Sequence, residues 1–526
     1  MIKHHLVTIP ASAAGIRLSV WLAKNGYPVS ADCGGKGTCG KCRVTVVSGT
    51  FFADAAMTDI ETPDADGTIR SCHAWCPSTG AQIQLEQTVG GGLTAVAVEQ
   101  DSDTGTASDG DHPLGMALDI GTTTLAMALV DPVSASIVKT VSRRNPQRSF
   151  GADVMSRIGA AAADAGNLAL MQSLLIEDIK EMYASLCADL DDDRRPRTMT
   201  VAGNTTMLHL FCGISPVGMG AYPFTPEFLD SKTLDGHDLG LPFETVILLP
   251  GAHAFIGGDV TAGMLLLQLS REREPVMLID IGTNGEMVLF TGTDHGGRFY
   301  AASAAAGPAL EGAGISTGVG GIAGAVCAVT EVNGQICCKT IDAKSPIGIC
   351  GSGLIDLAAL LLSREDLDET GYLEDEPYPY AVTEDGEALT LTQEDVRALQ
   401  LAKSAMRAGM EALCDAADLP LTALSKVLVA GGLGYYMNLD SACAIGLLPT
   451  ALRTKLQTVG NTALGGAAYL LSHPHLIEQI GTEAASCEII DLNRSAAFNE
   501  LFITHMMFPS DEEEGAVAFD KSLNKG

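Results

Sequence analysis

The chain has 526 residues, of which 64 are Asp or Glu and 32 are Lys or Arg, so its formal net charge is −32. This acidic balance argues against nucleic acid or an anionic membrane surface as a partner, because phosphate-rich surfaces are bound by clustered Lys and Arg. Hydrophobic residues make up 46% of the chain, which suffices for full cores and excludes wholesale disorder. At roughly 150 residues per domain, we expect three or four domains' worth of chain.

The sequence also bears on the cellular compartment. No stretch reaches the ~18 apolar residues that a membrane-spanning helix needs. The N-terminal apolar stretch is broken by Pro10 and Arg17, which makes it a poor signal peptide. We therefore predict a cytoplasmic protein without a membrane partner. Closely spaced cysteines among the fourteen in this chain then favour metal or cluster binding over disulfides, since cytosolic thiols are kept reduced.

Residues 1–98 are predicted to form one small unit. Their pattern predicts a strand at residues 5–9, a short helix at residues 18–25, and β-rich segments at residues 42–47 and 83–85. Strands that dominate a short segment with one helix indicate a small α+β domain.

The amino-acid composition of the chain changes after this unit. Residues 99–113 contain no large apolar residue and are rich in Asp, Ser, Thr and Gly, which is typical of a flexible linker. Long β runs and Ala-rich helices follow and indicate α/β architecture. We place two further domains at residues 114–275 and 276–510, followed by a polar C-terminal tail at residues 511–526.

An internal repeat supports this division. Residues 118–129 read LDIGTTTLAMAL and residues 279–290 read IDIGTNGEMVLF, so the two copies start 161 residues apart. In each copy an apolar strand enters Asp-Ile-Gly-Thr, and a tight turn leads into a second β-prone run. The repeat predicts two domains with the same core, each opening with a strand–turn–strand hairpin.

The tightly spaced cysteines lie in the first unit. Cys33, Cys39 and Cys42 are separated by five and two residues, and Cys72 follows. Four thiolates are the usual ligand set of an iron–sulfur cluster, and the four glycines between Cys33 and Cys42 let the backbone wrap closely around it. A distant fourth cysteine is typical of a [2Fe–2S] ferredoxin, although the first spacing differs from that of the plant type. Zinc is the alternative, but it favours two Cys-x-x-Cys pairs; Cys76 is the alternative to Cys72.

The repeated Asp-Ile-Gly-Thr turns have the chemistry of a nucleotide site. Their backbone amides and hydroxyls suit phosphate oxygens, and Asp119 and Asp280 can hold Mg²⁺ directly or through water. Two such hairpins facing each other would grip a triphosphate. The predicted phosphate-binding residues are Gly121, Thr122, Thr123 and Thr124 in the first copy and Gly282, Thr283, Asn284 and Gly285 in the second.

Other glycine-rich turns are predicted to line the same cleft. Gly431 and Gly432 follow a β-prone run and permit close approach of an adenosine to the backbone. Gly351 and Ser352 form another such turn, and so do residues 202–206, 257–259 and 306–312. Asp259 is a third candidate catalytic carboxylate, for positioning Mg²⁺ or water; the alternative is a helix N-cap. No Walker A motif is present in the sequence, which argues against a P-loop NTPase.

The order of these motifs, phosphate 1, phosphate 2 and then adenosine, resembles that of the acetate and sugar kinase, heat-shock protein and actin superfamily. The resemblance implies a two-lobed, actin-like ATPase built from duplicated ribonuclease H-like domains, with ATP and Mg²⁺ as ligands. Together with the cysteine pattern it implies a multidomain α/β and α+β protein. A β-grasp [2Fe–2S] ferredoxin-like domain would come first and the ATPase second.

A ferredoxin-like domain fused ahead of such an ATPase is similar to the ATP-dependent reductive activators of corrinoid proteins. The resemblance covers essentially the whole chain, except that several relatives carry a further folded segment where this chain has only residues 99–113. The matching segments are CGGKGTCGKCRV, MALDIGTTTLA, NPQRSFGADVMSRI, VAGNTTMLHL, LIDIGTNGEMVL, ICGSGLID, TQEDVRALQLAKSA and VAGGLGYYMN.

This resemblance implies a function and its partners. The reaction is the one-electron reduction of inactive Co(II) to Co(I) in a corrinoid protein of a methyltransferase system. An upstream low-potential electron donor and a homodimer are also implied. In such activators the last cluster ligand follows an Arg-x pair, which favours Cys72 in Arg70-Ser71-Cys72. Alternatives are a small-molecule kinase with a fused redox domain, or an ATP-dependent activator of another low-potential enzyme.

Overall fold

The computed structural model describes residues 2–25, 27, 29, 42–88, 112–433 and 437–509. The predicted tail, and the predicted linker apart from residues 112 and 113, lie outside this range. The described residues divide into two compact units. The first runs to Gly258 and includes Leu470–Pro474, and the second contains Asp259–Tyr469 and the described residues after Pro474. None of the helices in the described ranges has the length and apolarity needed to cross a membrane.

The first unit begins with a small antiparallel sheet of strand order β1-β4-β2-β3. One helix packs on it, with Leu18 and Leu22 buried in the same apolar cluster as Val7 and Ile83 of the sheet. This arrangement agrees with the predicted α+β domain. The elements are β1 (Ile2–Ile9), α1 (Leu18–Lys24), β2 (Arg43–Ser48), β3 (Thr68–Arg70) and β4 (Ala81–Thr88).

The first of two similar lobes is built on a sheet of strand order β7-β6-β5-β8-β10-β9. Strands β5, β6 and β7 form an antiparallel meander, whereas β8 runs parallel to β5 and β10 runs parallel to β8. The elements are β5 (Gly115–Ile120), β6 (Thr124–Asp131), β7 (Ser136–Arg144), α2 (Val154–Ala163), α3 (Ala165–Leu186), β8 (Thr198–Gly203), α4 (Thr205–Cys212), β9 (Lys232–Leu234) and β10 (Thr245–Leu248). The helix that follows, α5 (Gly258–Leu266), belongs to the second compact unit from Asp259 onward.

The second lobe has a sheet of strand order β20-β19-β11-β12-β13-β21 and two smaller sheets. Its elements are β11 (Val276–Ile281), β12 (Gly285–Phe290), β13 (Phe299–Ala304), β14 (Ala325–Val332), β15 (Gln335–Thr340), β16 (Gly348–Ile349), α6 (Gly351–Ser363), β17 (Tyr378–Val382), β18 (Ala388–Leu391), α7 (Gln393–Ala416), β19 (Lys426–Ala430), α8 (Leu439–Ala444), β20 (Leu456–Gly460), α9 (Thr462–Ser472), α10 (Ile477–Ser486), β21 (Glu488–Ile489) and α11 (Ala496–Thr504).

The two lobes share one topology, which confirms the predicted duplication. In each, an antiparallel meander of three strands carries two parallel strands on the side of its first strand. The first strands, β5 and β11, have the same burial pattern along their six residues. Central strands buried on both faces read as continuous apolar runs, and this is why both copies enter Asp-Ile-Gly-Thr through such a run.

One buried carboxylate of the second lobe should make its stability depend on pH. Asp356 on α6 is 5% exposed. Its Oδ2 accepts a hydrogen bond from the Val329 N–H at 3.2 Å, and Oδ1 has no partner among the described residues. Burial raises the pKa of this carboxyl above its usual 3.8. The folded protein therefore keeps this proton at pH values where the unfolded chain has lost it, so rising pH through that interval costs stability.

At pH values above this interval we expect Asp356→Asn to be more stable than the wild type. The difference in free energy of unfolding should disappear at acid pH, where Asp356 is protonated in both the folded and the unfolded protein. Asn keeps an acceptor for the Val329 N–H and carries no charge. Scanning calorimetry of both proteins across a pH series measures the difference, and Asp294→Asn is the matched control because Asp294 lies at the surface in an ion pair with Arg273. A constant difference at every pH would contradict the expectation.

Candidate functional site

The sheet of the N-terminal domain brings two of the predicted cluster ligands together. Cys42 immediately precedes β2 and Cys72 closely follows β3, and the antiparallel pairing of Arg43 with Arg70 places both cysteines at the same end. The Ser71 N–H donates to the Cys42 carbonyl at 3.0 Å. The two Sγ atoms are 3.2 Å apart, and the side chains are 0% and 2% exposed. Cys33 and Cys39 lie outside the described residues.

The environment of Cys42 favours its thiolate form. The hydrogen bond between the Cys42 and Cys72 thiols lowers the pKa of Cys42 to about 6, against the opposing effect of burial. The thiolate is the form that binds a metal. Two adjacent thiols, one of them acidic, are therefore a donor pair that fits an iron–sulfur cluster.

Cys76 has a different environment. It is 0% exposed within the apolar cluster of the domain, and burial raises the pKa of its thiol to about 12. Its backbone binds the segment before α1, because its N–H donates to the Ile16 carbonyl and its carbonyl accepts from the Gly15 N–H. The cysteine beside Cys42 is thus Cys72 and not Cys76.

The first Asp-Ile-Gly-Thr turn joins β5 to β6. The Gly121 N–H donates to the Thr124 carbonyl at 3.0 Å, and a Cβ on Gly121 would lie 2.6 Å from that same oxygen. The turn therefore requires glycine at this position. Asp119 lies on β5, opposite Ala126 on β6 and Ala202 on β8.

Three side chains hold this turn: Asn145 and Arg157, which were not predicted, and Asn204, which belongs to the predicted 202–206 turn. Asn145 Nδ2 donates to the Gly121 carbonyl at 2.8 Å, Asn204 Nδ2 donates to the Thr122 hydroxyl at 3.0 Å, and Arg157 donates to the Thr122 carbonyl. Their sequence signal was available, since all three lie in segments that match the activators, NPQRSFGADVMSRI and VAGNTTMLHL. Sequence alone did not indicate that both segments return to the same turn.

The second turn, between β11 and β12, has one added partner. The Gly282 N–H donates to the Asn284 carbonyl at 3.0 Å, and the Thr283 hydroxyl donates to Glu311 Oε2 at 2.7 Å. Glu311 belongs to the 306–312 turn, which was predicted to approach a ligand, although its carboxylate was not singled out. Gly285 has a packing role, because a Cβ there would lie 1.9 Å from Met406 Sδ on α7.

The glycine pair after β19 lies beside the second turn. Strand β19 runs parallel to β11, with Ala430 opposite Asp280. Gly431 has a φ of +93°, and a Cβ on it would lie 2.7 Å from Asp280 Oδ1. Gly432 has open space where its Cβ would be. The structure thus brings Asp280 and the predicted adenosine turn together within the second lobe; residues 434–436 lie outside the described range.

Two carboxylates of the second unit, Asp259 and Asp280, act on a third, Glu286. Asp259 lies in the first turn of α5, where its Oδ1 accepts from the Val260 N–H at 2.8 Å, and burial raises its pKa to about 6. On β12, burial and then the charges of Asp259 and Asp280 raise the pKa of Glu286 well above 4.5. Glu286 was not predicted, although the repeat offers a signal, since the first copy has Leu125 at the corresponding position.

These carboxylates do not form a ready-made metal cage. Within the part of the chain that the structure describes, no three Asp, Glu, His or Cys side chains are arranged to hold a metal ion together. Mg²⁺ in phosphate sites characteristically keeps several waters and takes one or two carboxylates with the phosphates. Asp259 and Asp280 therefore fit a Mg²⁺ that is bound mainly through a nucleotide and water.

The Gly351–Ser352 turn begins α6. The Ser352 side chain is 1% exposed, and its hydroxyl donates to the Cys327 carbonyl at 2.8 Å. A Cβ on Gly351 would lie 1.7 Å from the Leu310 carbonyl oxygen. This turn is therefore packed against the 306–312 turn that carries Glu311, and the Ser352 hydroxyl is used within the lobe.

Comparison with known protein families gives three matches. Residues 4–76 match the 2Fe-2S iron-sulfur cluster binding domain, residues 114–272 match the RACo middle region, and residues 274–518 match the C-terminal domain of RACo, the ASKHA domain.

Individual proteins are similar over most of the chain. The corrinoid activation enzyme RamQ of Eubacterium limosum is 33% identical over 425 residues, which are 75% of this chain and 70% of that protein. The [Co(II) methylated amine-specific corrinoid protein] reductase of Methanosarcina barkeri is 26% identical over 440 residues, which are 75% of this chain and 77% of that protein. A solved structure of a reductive activator for corrinoid, iron-sulfur protein has a TM-score of 0.69 and 26% identity, with 96% of each chain covered.

Proposed function

Because the chain belongs to the RACo family, we propose that it reductively activates a corrinoid protein, returning inactive Co(II) to Co(I) in an ATP-dependent reaction. The observation that carries this proposal is the occurrence, in one chain, of an adjacent pair of buried thiols in a ferredoxin-like domain and a duplicated actin-like fold. The relatives named for corrinoid activation and for Co(II) corrinoid protein reduction support it.

Four cysteines would hold the cluster in this proposal: Cys33, Cys39, Cys42 and Cys72. A bound [2Fe–2S] cluster supplies a one-electron carrier. The contribution of the chain is to present Cys42 as an acidic thiol beside Cys72 and to exclude water, since both side chains are buried.

ATP has a thermodynamic role in the proposed reaction. Co(I) is a strong nucleophile, and its formation from Co(II) is uphill for ordinary cellular donors. An electron carrier alone leaves that equilibrium unchanged. Nucleotide binding and hydrolysis can shift it if the conformations of the activator differ in affinity for the Co(II) form of the partner.

The two Asp-Ile-Gly-Thr turns are the proposed phosphate-binding elements, and the glycines at 431 and 432 are the proposed adenosine contact. Asp119, Asp280 and Asp259 are the proposed catalytic carboxylates, which position Mg²⁺ and water. Tight turns with glycine at the first position support this assignment in both lobes, because such turns expose backbone N–H groups to an anion.

The proposed partners follow from the reaction. They are a corrinoid protein of a methyltransferase system, whose Co(II) is the substrate, and an upstream low-potential electron donor. We also propose a homodimer and a cytoplasmic location. The chain has 64 acidic and 32 basic residues, and this negative net charge argues against nucleic acid as a further partner.

One reconstitution tests the proposal. The protein is purified without oxygen and mixed with a chemical reductant, ATP and a Co(II) corrinoid protein from a methyltransferase system. We expect the absorption of Co(I) to appear only when ATP and the activator are both present, and to be missing with a non-hydrolysable ATP analogue. Failure to form Co(I) with every corrinoid protein tried, together with ATP-dependent phosphorylation of a metabolite, would favour the kinase alternative.

A further inference from the structure

Arg157 is a buried cation that forms no ion pair with any carboxylate of the described residues. It lies on α2 and is 0% exposed. Its guanidinium donates to the carbonyls of Gly151 and Thr122, to Gln147 Oε1 at 3.5 Å and to Met207 Sδ at 3.0 Å. Each of these acceptors is neutral. Among the described residues no carboxylate lies within ion-pair distance of this guanidinium.

The carboxylate whose charge acts on Arg157 is that of Asp153, and it is engaged in capping α2. Asp153 is the N-cap of α2, and its carboxylate accepts from the Ser156 N–H at 2.8 Å and from the Ser156 hydroxyl at 2.9 Å. Burial lowers the pKa of Arg157 to about 9, so the guanidinium still carries its charge at neutral pH. A buried charge without a counter-ion is costly, and this cost would be offset by an anion that arrives with a ligand.

The contacts of Arg157 also orient the turn that precedes β6. Asn145 binds the Gly121 carbonyl and Arg157 binds the Thr122 carbonyl. In a planar trans peptide the N–H points away from the carbonyl of the same plane. The N–H groups of Thr122 and Thr123 are therefore directed away from Asn145 and Arg157. A cation on the carbonyl also polarises the peptide and strengthens its N–H as a donor.

We propose that Arg157 is a positioning residue for ATP, which acts through the Thr122–Thr123 peptide and supplies the positive charge behind the first phosphate-binding turn. This inference rests on the ATP binding in the proposed function and adds the residue that makes the first turn selective for polyphosphate. In this arrangement the Thr122 carbonyl accepts a charge-assisted hydrogen bond from Arg157, and the N–H on the opposite side of the same peptide donates to a phosphate oxygen.

Charge can be separated from hydrogen bonding by two substitutions. Arg157→Gln keeps a donor but loses the charge, and Arg157→Lys keeps the charge but loses the planar fork. Arg143→Gln is the matched control, because Arg143 is a partly exposed arginine of the same lobe that is held in ion pairs with Asp178 and Glu181. All are made in the full chain, purified without oxygen. Titration calorimetry measures the binding of ATP, ADP, adenosine and inorganic tripolyphosphate, and melting temperatures report folding.

We expect Arg157→Gln to weaken ATP binding by at least about tenfold, the size of effect that loss of one nearby charge produces at low effective dielectric. The loss should be smaller for ADP, absent for adenosine and present for tripolyphosphate, whereas Arg143→Gln should bind all four as the wild type does. Arg157→Lys should stay within about threefold of the wild type for ATP, because the charge remains.

Two outcomes overturn the inference. If the wild type binds ATP and Arg157→Gln binds it equally well, the charge has no role, and the proposed function stands. If Arg157→Gln does not fold, Arg157→Lys decides: a loss as large for adenosine as for ATP would show a purely structural residue. A wild type that binds none of the four ligands would overturn the proposed function together with this inference.

Discussion

Replacing Cys42 by Ser is expected to remove the [2Fe–2S] cluster and, with it, all reduction of Co(II). Cys42 has its Sγ 3.2 Å from that of Cys72, and its pKa is lowered to about 6, whereas that of Cys76 is raised to about 12. A serine hydroxyl does not ionise at neutral pH and is a poor substitute for a thiolate. Iron content and the visible absorption of the purified protein measure cluster loss, and Co(I) absorption in the reconstituted system measures activity.

ATP binding should survive this substitution, because the proposed nucleotide-binding turns belong to the two six-stranded sheets and not to the four-stranded sheet that carries the cysteines. The same result is expected for Cys39→Ser. The matched control is Cys76→Ala, which removes a thiol from the same domain but from its apolar core. This control should keep the cluster, with some loss of stability. If the cluster persists in Cys42→Ser but is lost in Cys76→Ala, then Cys76 and not Cys42 is the ligand. Loss of ATP binding in Cys42→Ser would show that the domains do not function separately.

Replacing Asp280 by Asn is expected to lower ATP hydrolysis and ATP-dependent Co(I) formation by about 10²–10³-fold, the usual cost of removing one electrostatic group from a catalytic site. Asp280 is followed by the second proposed phosphate-binding turn and lies against Gly431. Asn preserves the size of the side chain and removes the charge. The cluster absorption should not change, and release of inorganic phosphate measures the effect.

The control for this substitution is Asp294→Asn, which removes one carboxylate from the surface of the same lobe. It should hydrolyse ATP at the wild-type rate. Asp280→Asn should also lower the pKa of Glu286, since the charge of Asp280 contributes to its raised value. Normal ATP hydrolysis by Asp280→Asn would remove this residue from the catalytic assignment.

Much of the fold could be predicted from local pattern. Apolar runs that enter Asp-Ile-Gly-Thr at two places predicted two hairpins, and the structure has β5–β6 and β11–β12 there. Their registers differ by one residue, since Asp119 pairs with Ala126 and Asp280 pairs with Glu286. These strands are buried on both faces, so their sequence is largely apolar, although it includes the carboxylates Asp119, Asp280 and Glu286. The four-cysteine pattern similarly predicted a ferredoxin-like domain, and the matching family model agrees.

The side chains around the site were harder to predict. The carboxylate of Glu311 reaches Thr283 from 28 residues away, and the guanidinium of Arg157 reaches Thr122 from 35 residues away. The sequence spacing of such residues does not identify them as part of the site, because they meet their partners only through the packing of strands and turns. The same holds for Glu286, whose charge is affected by Asp259 and Asp280 only once the lobe has folded.

The sequence by itself determined the chemistry and the order of the parts: thiols spaced for a cluster, then two glycine turns after apolar strands, then a late glycine pair. These features are local, and backbone geometry and hydrophobic periodicity act over a few residues. Only the tertiary structure decided which cysteine lies beside Cys42 and which buried side chains hold each turn. Those choices depend on strand pairing between distant segments and on burial, which shifts the pKa of a thiol or a carboxylate only when water has been excluded from around it.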